Sequence, residues 1–457
     1  MKEETYPDGG KSSPNRRAFV GAISGNAFEA YDTAIYGFLA VQMGALFFPG
    51  SNHTAQTLGS LALFGLTFFV RPLGALIFGP LADRIGRTPV LVLMISLMAL
   101  ATAAVGLLPA YSSIGITATV ALVGCRMLQG LAVGGEYGTA TSFLTEYSRR
   151  GQRGFGTSWY IFSSLSGFLL GSLMVTGLSA LLSDDEMMSW GWRIAFLIAA
   201  PLGSIAIFIR LRIEESPEFA RISAQRETSR APLRETLSYG KELLLTAGVG
   251  TLHSVAFYMA FSYATTYVAV VAGQGHSVSF ASTVVACCVG LAVLPFGGKA
   301  SDKWGRRRIL MIGALWCVMA AYPGFLLMSS ESAAGAFAGQ ALLAVGAGIF
   351  LSTSVATMAE LFPTRVRSTG SSVGYNAAAA LFGGTAPFIS TFLVSTTGND
   401  HSPALYLCAA AIIALIAVSI IRNDRLHTGA EVTAPTVDAD RPTTAAVGRV
   451  TPDGESA

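Results

Sequence analysis

Residues 79–87 read Gly-Pro-Leu-Ala-Asp-Arg-Ile-Gly-Arg, and residues 298–306 read Gly-Lys-Ala-Ser-Asp-Lys-Trp-Gly-Arg. Asp83 and Asp302, the acids of this shared pattern, lie 219 positions apart. A second echo joins Glu146, followed by Arg149, Arg150, Arg153 and Gly154, to Glu360, followed by Arg365, Arg367 and Gly370, at an offset of 214. Two independent echoes at nearly one offset indicate a duplicated chain. In each copy the glycine permits close helix contact, the acid near a helix end can pair with an arginine of a neighbouring helix, and the basic cluster suits an anionic inner leaflet. Asp83, Arg84, Arg87, Asp302, Lys303 and Arg306 are therefore expected to latch two halves together on the cytoplasmic side.

The sequence around these motifs is apolar. Of 457 residues, 52% are hydrophobic and only 12% charged, where a soluble domain carries roughly 25% charged residues. Twelve runs can each cross a bilayer, which needs about 20 apolar residues: 18–47, 57–82, 89–109, 114–147, 154–182, 191–212, 243–272, 278–300, 309–328, 333–361, 369–397 and 403–422. The reading is an all-α membrane protein of two pseudo-symmetric six-helix halves, 18–212 and 243–425. A cytoplasmic N-terminal tail (1–17), a cytoplasmic linker (213–242) and a disordered cytoplasmic tail (426–457) complete the expected organisation. Of the 30 lysines and arginines, 27 fall in the tails, every second inter-span segment and the span ends flanking them, which places both termini inside a bacterial-type plasma membrane.

Several classes drop out. A net charge of +3 gives no basic field for nucleic acid. Cys125, Cys287, Cys288, Cys317 and Cys408 lie in apolar runs without metal-ligand spacing, so neither a metal nor a disulfide framework is expected. No complete Gly-x-x-x-x-Gly-Lys-Ser/Thr phosphate loop occurs, which argues against ATP drive and against any cofactor. The expected partners are a small-molecule substrate, protons and membrane lipids, with the monomer as the working unit.

An ionisable group within a span costs at least about 2.5 to 3.5 kcal/mol on insertion scales, so each needs a partner or a function. Glu29, Asp32, Arg71, Arg126 and Glu136 stand deep, all in the first half. Glu29 and Asp32 are three apart and share one face of the first helix with Asn26. Two acids so close resist joint ionisation, which suits a proton-coupling site. Arg126, Gln129 and Glu136 form one stripe of the fourth helix, and Arg71 precedes Pro72, where its five donors can clamp a carboxylate. In the second half His253, Tyr258 and Asn376 are the polar groups suited to orient a substrate.

More specific features carry a resemblance. Gly25-Asn26-x-x-Glu29-x-Tyr31-Asp32-x-x-x-Tyr36-Gly37, Arg71-Pro72-Leu73-Gly74, Arg126-x-x-Gln129-Gly130, Gly134-Gly135-Glu136-Tyr137, Gly191-Trp192-Arg193-Ile194 and Glu214-Glu215-Ser216-Pro217 resemble the metabolite:proton symporter family of the major facilitator superfamily. That group includes alpha-ketoglutarate, citrate-proton, shikimate and proline/betaine transporters. The chain departs from the family at Ala30 and Thr33, where Trp and Phe are usual, which bears on packing beside the proton site and on substrate shape. The resemblance implies a major facilitator fold and proton transfer near Arg126 and Glu136. It implies no enzyme.

Two intramembrane arginines suit a carboxylate, so the expected function is proton-coupled import of a di- or tricarboxylate or 2-oxo acid by alternating access. Proton coupling falls to Glu29, Asp32, Arg126 and Glu136, and substrate contact to Arg71, Arg126, Gln129, His253, Tyr258 and Asn376. The alternatives are a proline/betaine-type zwitterion:proton symporter and a drug efflux antiporter. The tail shows no heptads of the kind the proline/betaine member carries.

Overall fold

The computed structural model describes residues 16–48, 53–149, 151–225, 227–422 and 426. Most of the two expected tails therefore lies outside the described residues. Among the described residues every regular element is a helix. Eleven helical segments are long and apolar enough to cross a membrane. The first helix completes the twelve, its hydropathy lowered by Asn26, Glu29 and Asp32.

The spanning helices are α1 (Arg16–Phe38), α2 (His53–Ile85), α3 (Arg87–Leu107), α4 (Ile116–Tyr147), α5 (Arg153–Leu181) and α6 (Asp184–Arg210) in the first half. The second half holds α7 (Gly240–Val271), α8 (Gly275–Trp304), α9 (Arg306–Met328), α10 (Ala333–Glu360), α11 (Thr364–Thr397) and α12 (Pro403–Ile420). Two short helices, Pro217–Ala224 and Pro232–Leu237, occupy the linker. Ser216 caps the first of these by accepting from the Phe219 amide, with Pro217 at the first helical position, where its missing N–H costs nothing.

The packing repeats as the sequence does. α1 packs on α5 as α7 packs on α11, and α2 packs on α4 as α8 packs on α10. The halves meet through α5 against α8 and through α2 against α11, contacts related by the same internal twofold. Leu, Phe, Ile and Val side chains remain exposed on the outer surfaces, among them Leu100, Leu181, Phe296 and Phe388, as expected of a surface facing lipid tails.

Glycines set how closely the halves approach. A Cβ on Gly298 of α8 would stand 2.7 Å from the Gly154 carbonyl oxygen of α5. In the equivalent contact a Cβ on Gly79 of α2 would stand 3.0 Å from the Thr369 Cα of α11. Each motif glycine thus brings one half against the backbone of the other, one turn before the motif aspartate. Gly86 and Gly305 join α2 to α3 and α8 to α9 at φ values of 110° and 90°, a region that favours glycine.

Gly298→Val should insert normally but hold the basic end of α8 away from α5. A cysteine at Ser301 (S301C), in a background free of other cysteines, should react with an impermeant thiol reagent severalfold faster when Gly298→Val is present. Equal rates would mean that this contact does not hold the halves together.

Candidate functional site

The site lies between the halves. One cavity of about 620 Å³, counting its opening to solvent, is lined from α1, α2, α4, α5, α7 and α11. Asn26, Glu29, Ala30 and Thr33 present a single stripe of α1 to it, as the i, i+3, i+4, i+7 spacing requires. Asn26 is fixed by donating to the Tyr160 carbonyl at 2.6 Å and to Ser163 Oγ at 2.8 Å. Arg71 is the lone arginine or lysine among the described residues lining the cavity. Its guanidinium rests 4.1 Å over the Phe68 ring and reaches Glu29 at 3.7 Å, a separation that makes an ion pair but no hydrogen bond.

Aromatic groups form much of the remaining lining. Tyr137 of α4 and Tyr375 of α11 stack with centroids 3.6 Å apart and planes 14° apart. Tyr160 meets Tyr137 edge-on at 5.6 Å, and His253 meets Tyr375 edge-on at 5.2 Å. His253 Nδ1 is held by Ser354 Oγ at 2.7 Å. Asn376 donates to the Gly134 and Ser372 carbonyls, both at 2.8 Å, while its Oδ1 is buried without a hydrogen-bond partner. Away from the basic end, Phe68 packs on Tyr258 at 5.3 Å and Phe38 on Phe280 at 5.6 Å. These contacts join the halves on that side of the cavity.

The structure corrects three expectations. Glu29 and Asp32 do not share a site: Glu29 faces the cavity, whereas Asp32 turns toward α3 and α4. Three residues on a helix are about 60° apart in projection, enough to give each acid its own arginine. Asp32 accepts from Thr102 Oγ1 and Gln129 Nε2, each at 2.9 Å, and from Arg126 at 3.2 Å. Arg126 also donates to Gln129 at 2.9 Å and lies 3.9 Å over the Tyr36 ring. Arg126 and Gln129 are therefore tied to Asp32 and do not line the cavity.

Second, Glu136 is sealed against an arginine at the end of the sixth span, rather than being free for proton transfer. Arg210, at the end of α6, bonds Glu136 at 2.5 Å, with both side chains essentially unexposed. The same guanidinium donates to the carbonyls of Gly21, Leu91 and Ala22 at 3.0, 2.8 and 3.3 Å. This joint binds α1, α3, α4 and α6 together. It too lies outside the cavity.

Third, the latch is built from aspartates on helix N-termini of the opposite half, rather than on neighbouring arginines alone. Asp83 accepts from the amides of Ser368 and Thr369 at 3.3 and 2.8 Å and from Thr369 Oγ1 at 2.6 Å. Asp302 accepts from the amides of Gly154 and Phe155, both at 2.8 Å. Each carboxylate thus neutralises the positive end of a helix dipole. Arg87 pairs with Asp83 at 3.1 Å and Glu146 at 3.2 Å, and Arg306 pairs with Asp302 at 2.6 Å and Glu360 at 3.1 Å. Arg84 instead donates to the Arg230 carbonyl at 2.8 Å, and Lys303 is exposed.

Glu218 of the linker helix joins the two nodes. It bonds Arg153 of α5 and Arg367 of α11, the latter at 2.9 Å. Those arginines are the two copies of the second sequence echo. Burial alone would raise the Glu218 carboxyl, but Arg367 and Arg153 hold it below the usual carboxylate range, so it stays ionised at neutral pH. Glu146 connects the same parts, meeting Arg367 at 3.2 Å and accepting from Ser216.

Removing one partner of a buried pair leaves an uncompensated charge, at a cost of about 3–5 kcal/mol. Arg210→Met should accordingly lower the melting temperature of the purified protein in detergent well below that of Arg210→Met combined with Glu136→Leu. Equal melting temperatures for the two variants would show that the pair does not act as a unit.

The comparisons with known proteins agree with this geometry. Residues 18–242 match the family described as "Sugar (and other) transporter", and residues 272–443 match "Major Facilitator Superfamily". The proline/betaine transporter of Escherichia coli (strain K12) is 35% identical over 429 residues, covering 91% of this chain and 84% of that protein. The ectoine/proline transporter ProP of Corynebacterium glutamicum is 34% identical over 419 residues, covering 88% of this chain and 83% of its own. Among solved structures, the proton:xylose symporter XylE bound to 6-bromo-6-deoxy-D-glucose superposes with a TM-score of 0.72 at 15% identity, covering 90% of this chain and 96% of that one. With twelve helices in two related halves around a central cavity, the chain is a multi-pass secondary transporter of small molecules, no enzyme, and belongs to the major facilitator superfamily.

Proposed function

We propose that the protein is a proton-coupled symporter of a small zwitterion of the proline/betaine type. The observation that carries this reading is a cavity lined by one cation and by several aromatic rings, two of them stacked. Arg71 can take a single carboxylate. The faces of Tyr160, Phe257, Tyr258 and the Tyr137–Tyr375 stack can take an alkylated ammonium, which binds by cation–π attraction without needing an N–H acceptor.

This replaces the di- or tricarboxylate expectation. That expectation needed two free arginines, and Arg126 is spent on Asp32 and Gln129. The kinship of the chain with proline, betaine and ectoine transporters points the same way. The span ends and connecting segments on the side opposite the basic loops carry Asp184, Asp185, Glu186, Glu331 and Asp400 against Arg193. A negative mouth of this kind repels polyanions and tolerates zwitterions.

In this reading the basic end faces the cytoplasm. The Asp32–Arg126 pair and Glu29 carry one coupling proton between them, since each is an acid whose arginine partner can be traded for it. Glu136 is structural, held by Arg210. The latches of Asp83, Asp302 and Glu218 close the cytoplasmic side, and their opening lets the substrate leave inward.

In proteoliposomes with an imposed inward proton gradient, labelled glycine betaine and L-proline should accumulate, and 2-oxoglutarate should not. Asp32→Asn should abolish accumulation yet keep exchange at equal concentrations, because exchange needs no net proton movement. Accumulation of 2-oxoglutarate alone would restore the carboxylate reading, and full accumulation by Asp32→Asn would move the proton site elsewhere.

A further inference from the structure

The three deep ion pairs of the first half are not equivalent. Asp32 is held by Arg126, Gln129 and Thr102, and Glu136 is held by an arginine that three backbone carbonyls fix in turn. Neither acid lines the cavity. The Glu29–Arg71 pair does, with both residues in its wall, at 3.7 Å and with 14% of the Glu29 side chain exposed. Of the three, it alone is loose and within reach of a solute.

We infer that the substrate carboxylate and Glu29 compete for Arg71, so that the carboxylate displaces Glu29 on binding and the displaced Glu29 takes up one proton. This rests on the zwitterion reading of the cavity. A carboxylate brought to Arg71 can make the two parallel N–H···O bonds that Glu29 does not make. Glu29 then loses its cation, with the acids Asp32 on its own helix and Glu136 on α4 still close. The other charged or titratable groups facing it are Arg210 from α6, Tyr160 from α5, Tyr258 from α7 and Tyr375 from α11. Arg210 is already committed to Glu136, and the tyrosines carry no positive charge. An ionised carboxylate left so is costly, and protonation removes the cost.

The step balances. The Glu29–Arg71 ion pair breaks, a proton from water forms an O–H bond on Glu29, and the substrate carboxylate takes the place of Glu29 against Arg71. A zwitterion brings no net charge, so the loaded cavity gains the charge of the proton. The competing geometry has the zwitterion bridging the pair, carboxylate on Arg71 and ammonium on ionised Glu29, and it takes up no proton. A trimethylammonium group has no N–H to offer Glu29 and is better served by the tyrosine faces.

Titration calorimetry of the full-length protein in lipid nanodiscs separates the two. Glycine betaine binding is measured at neutral pH in buffers of different ionisation enthalpy, with L-proline and 2-oxoglutarate alongside. The wild type should take up about one proton per glycine betaine, Glu29→Gln should bind with none, and Glu29→Asp should restore uptake. Binding by the wild type without proton uptake, or uptake that survives Glu29→Gln, overturns the competition. Binding of 2-oxoglutarate alone, with uptake lost in Glu29→Gln, overturns the zwitterion reading but keeps the competition. Binding of none of the three overturns both.

Discussion

A charge within a membrane has no water to solvate it, and the arrangement of this protein follows from how each deep charge finds an opposite one. Asp32 has Arg126, Glu136 has Arg210 and Glu29 has Arg71. The first pair ties α1 to α4, the second gathers α1, α3, α4 and α6, and the third ties α1 to α2. The charges hold the first half as one body. Two of the pairs are closed by further hydrogen bonds, and the third faces the cavity.

The second half shows what happens without such charges. Gln340 stands 214 positions after Arg126, the same offset that separates Glu146 from Glu360. It donates to the Ala260 carbonyl at 2.9 Å and to Thr283 at 3.2 Å. A neutral amide thus does in α10 what a guanidinium does in α4. The duplicated fold has kept the joint and varied its charge, which concentrates the ionisable chemistry on one side of the cavity. The latches, by contrast, are retained in both copies, because each must hold one half against a helix N-terminus of the other. Glu218, outside the repeat, bridges the two copies through Arg153 and Arg367.

The repeat, the twelve spans and the two halves are legible in the sequence because they depend on local hydropathy and on motif spacing. The motif glycines and aspartates are legible for the same reason. The partners are not. A three-residue spacing places Glu29 and Asp32 within about 60° of each other but does not say that a different helix lies behind each. Arg210 looks like part of a basic loop because it ends a span, and its inward turn to Glu136 depends on the packing of four helices. Tyr137 and Tyr375 are 238 residues apart, and nothing local to either announces the stack. Tyr160 sits in an apolar run with no motif around it.

On the proposed exchange of a carboxylate for Glu29 at Arg71, one proton enters with each zwitterion. This coupling is tested most directly by the current through proteoliposomes containing the purified protein, with glycine betaine applied on one side. The account predicts an electrogenic flux that reverses where the combined proton and substrate gradients balance at one proton per substrate. An electroneutral flux, or a reversal point that ignores the proton gradient, would contradict it.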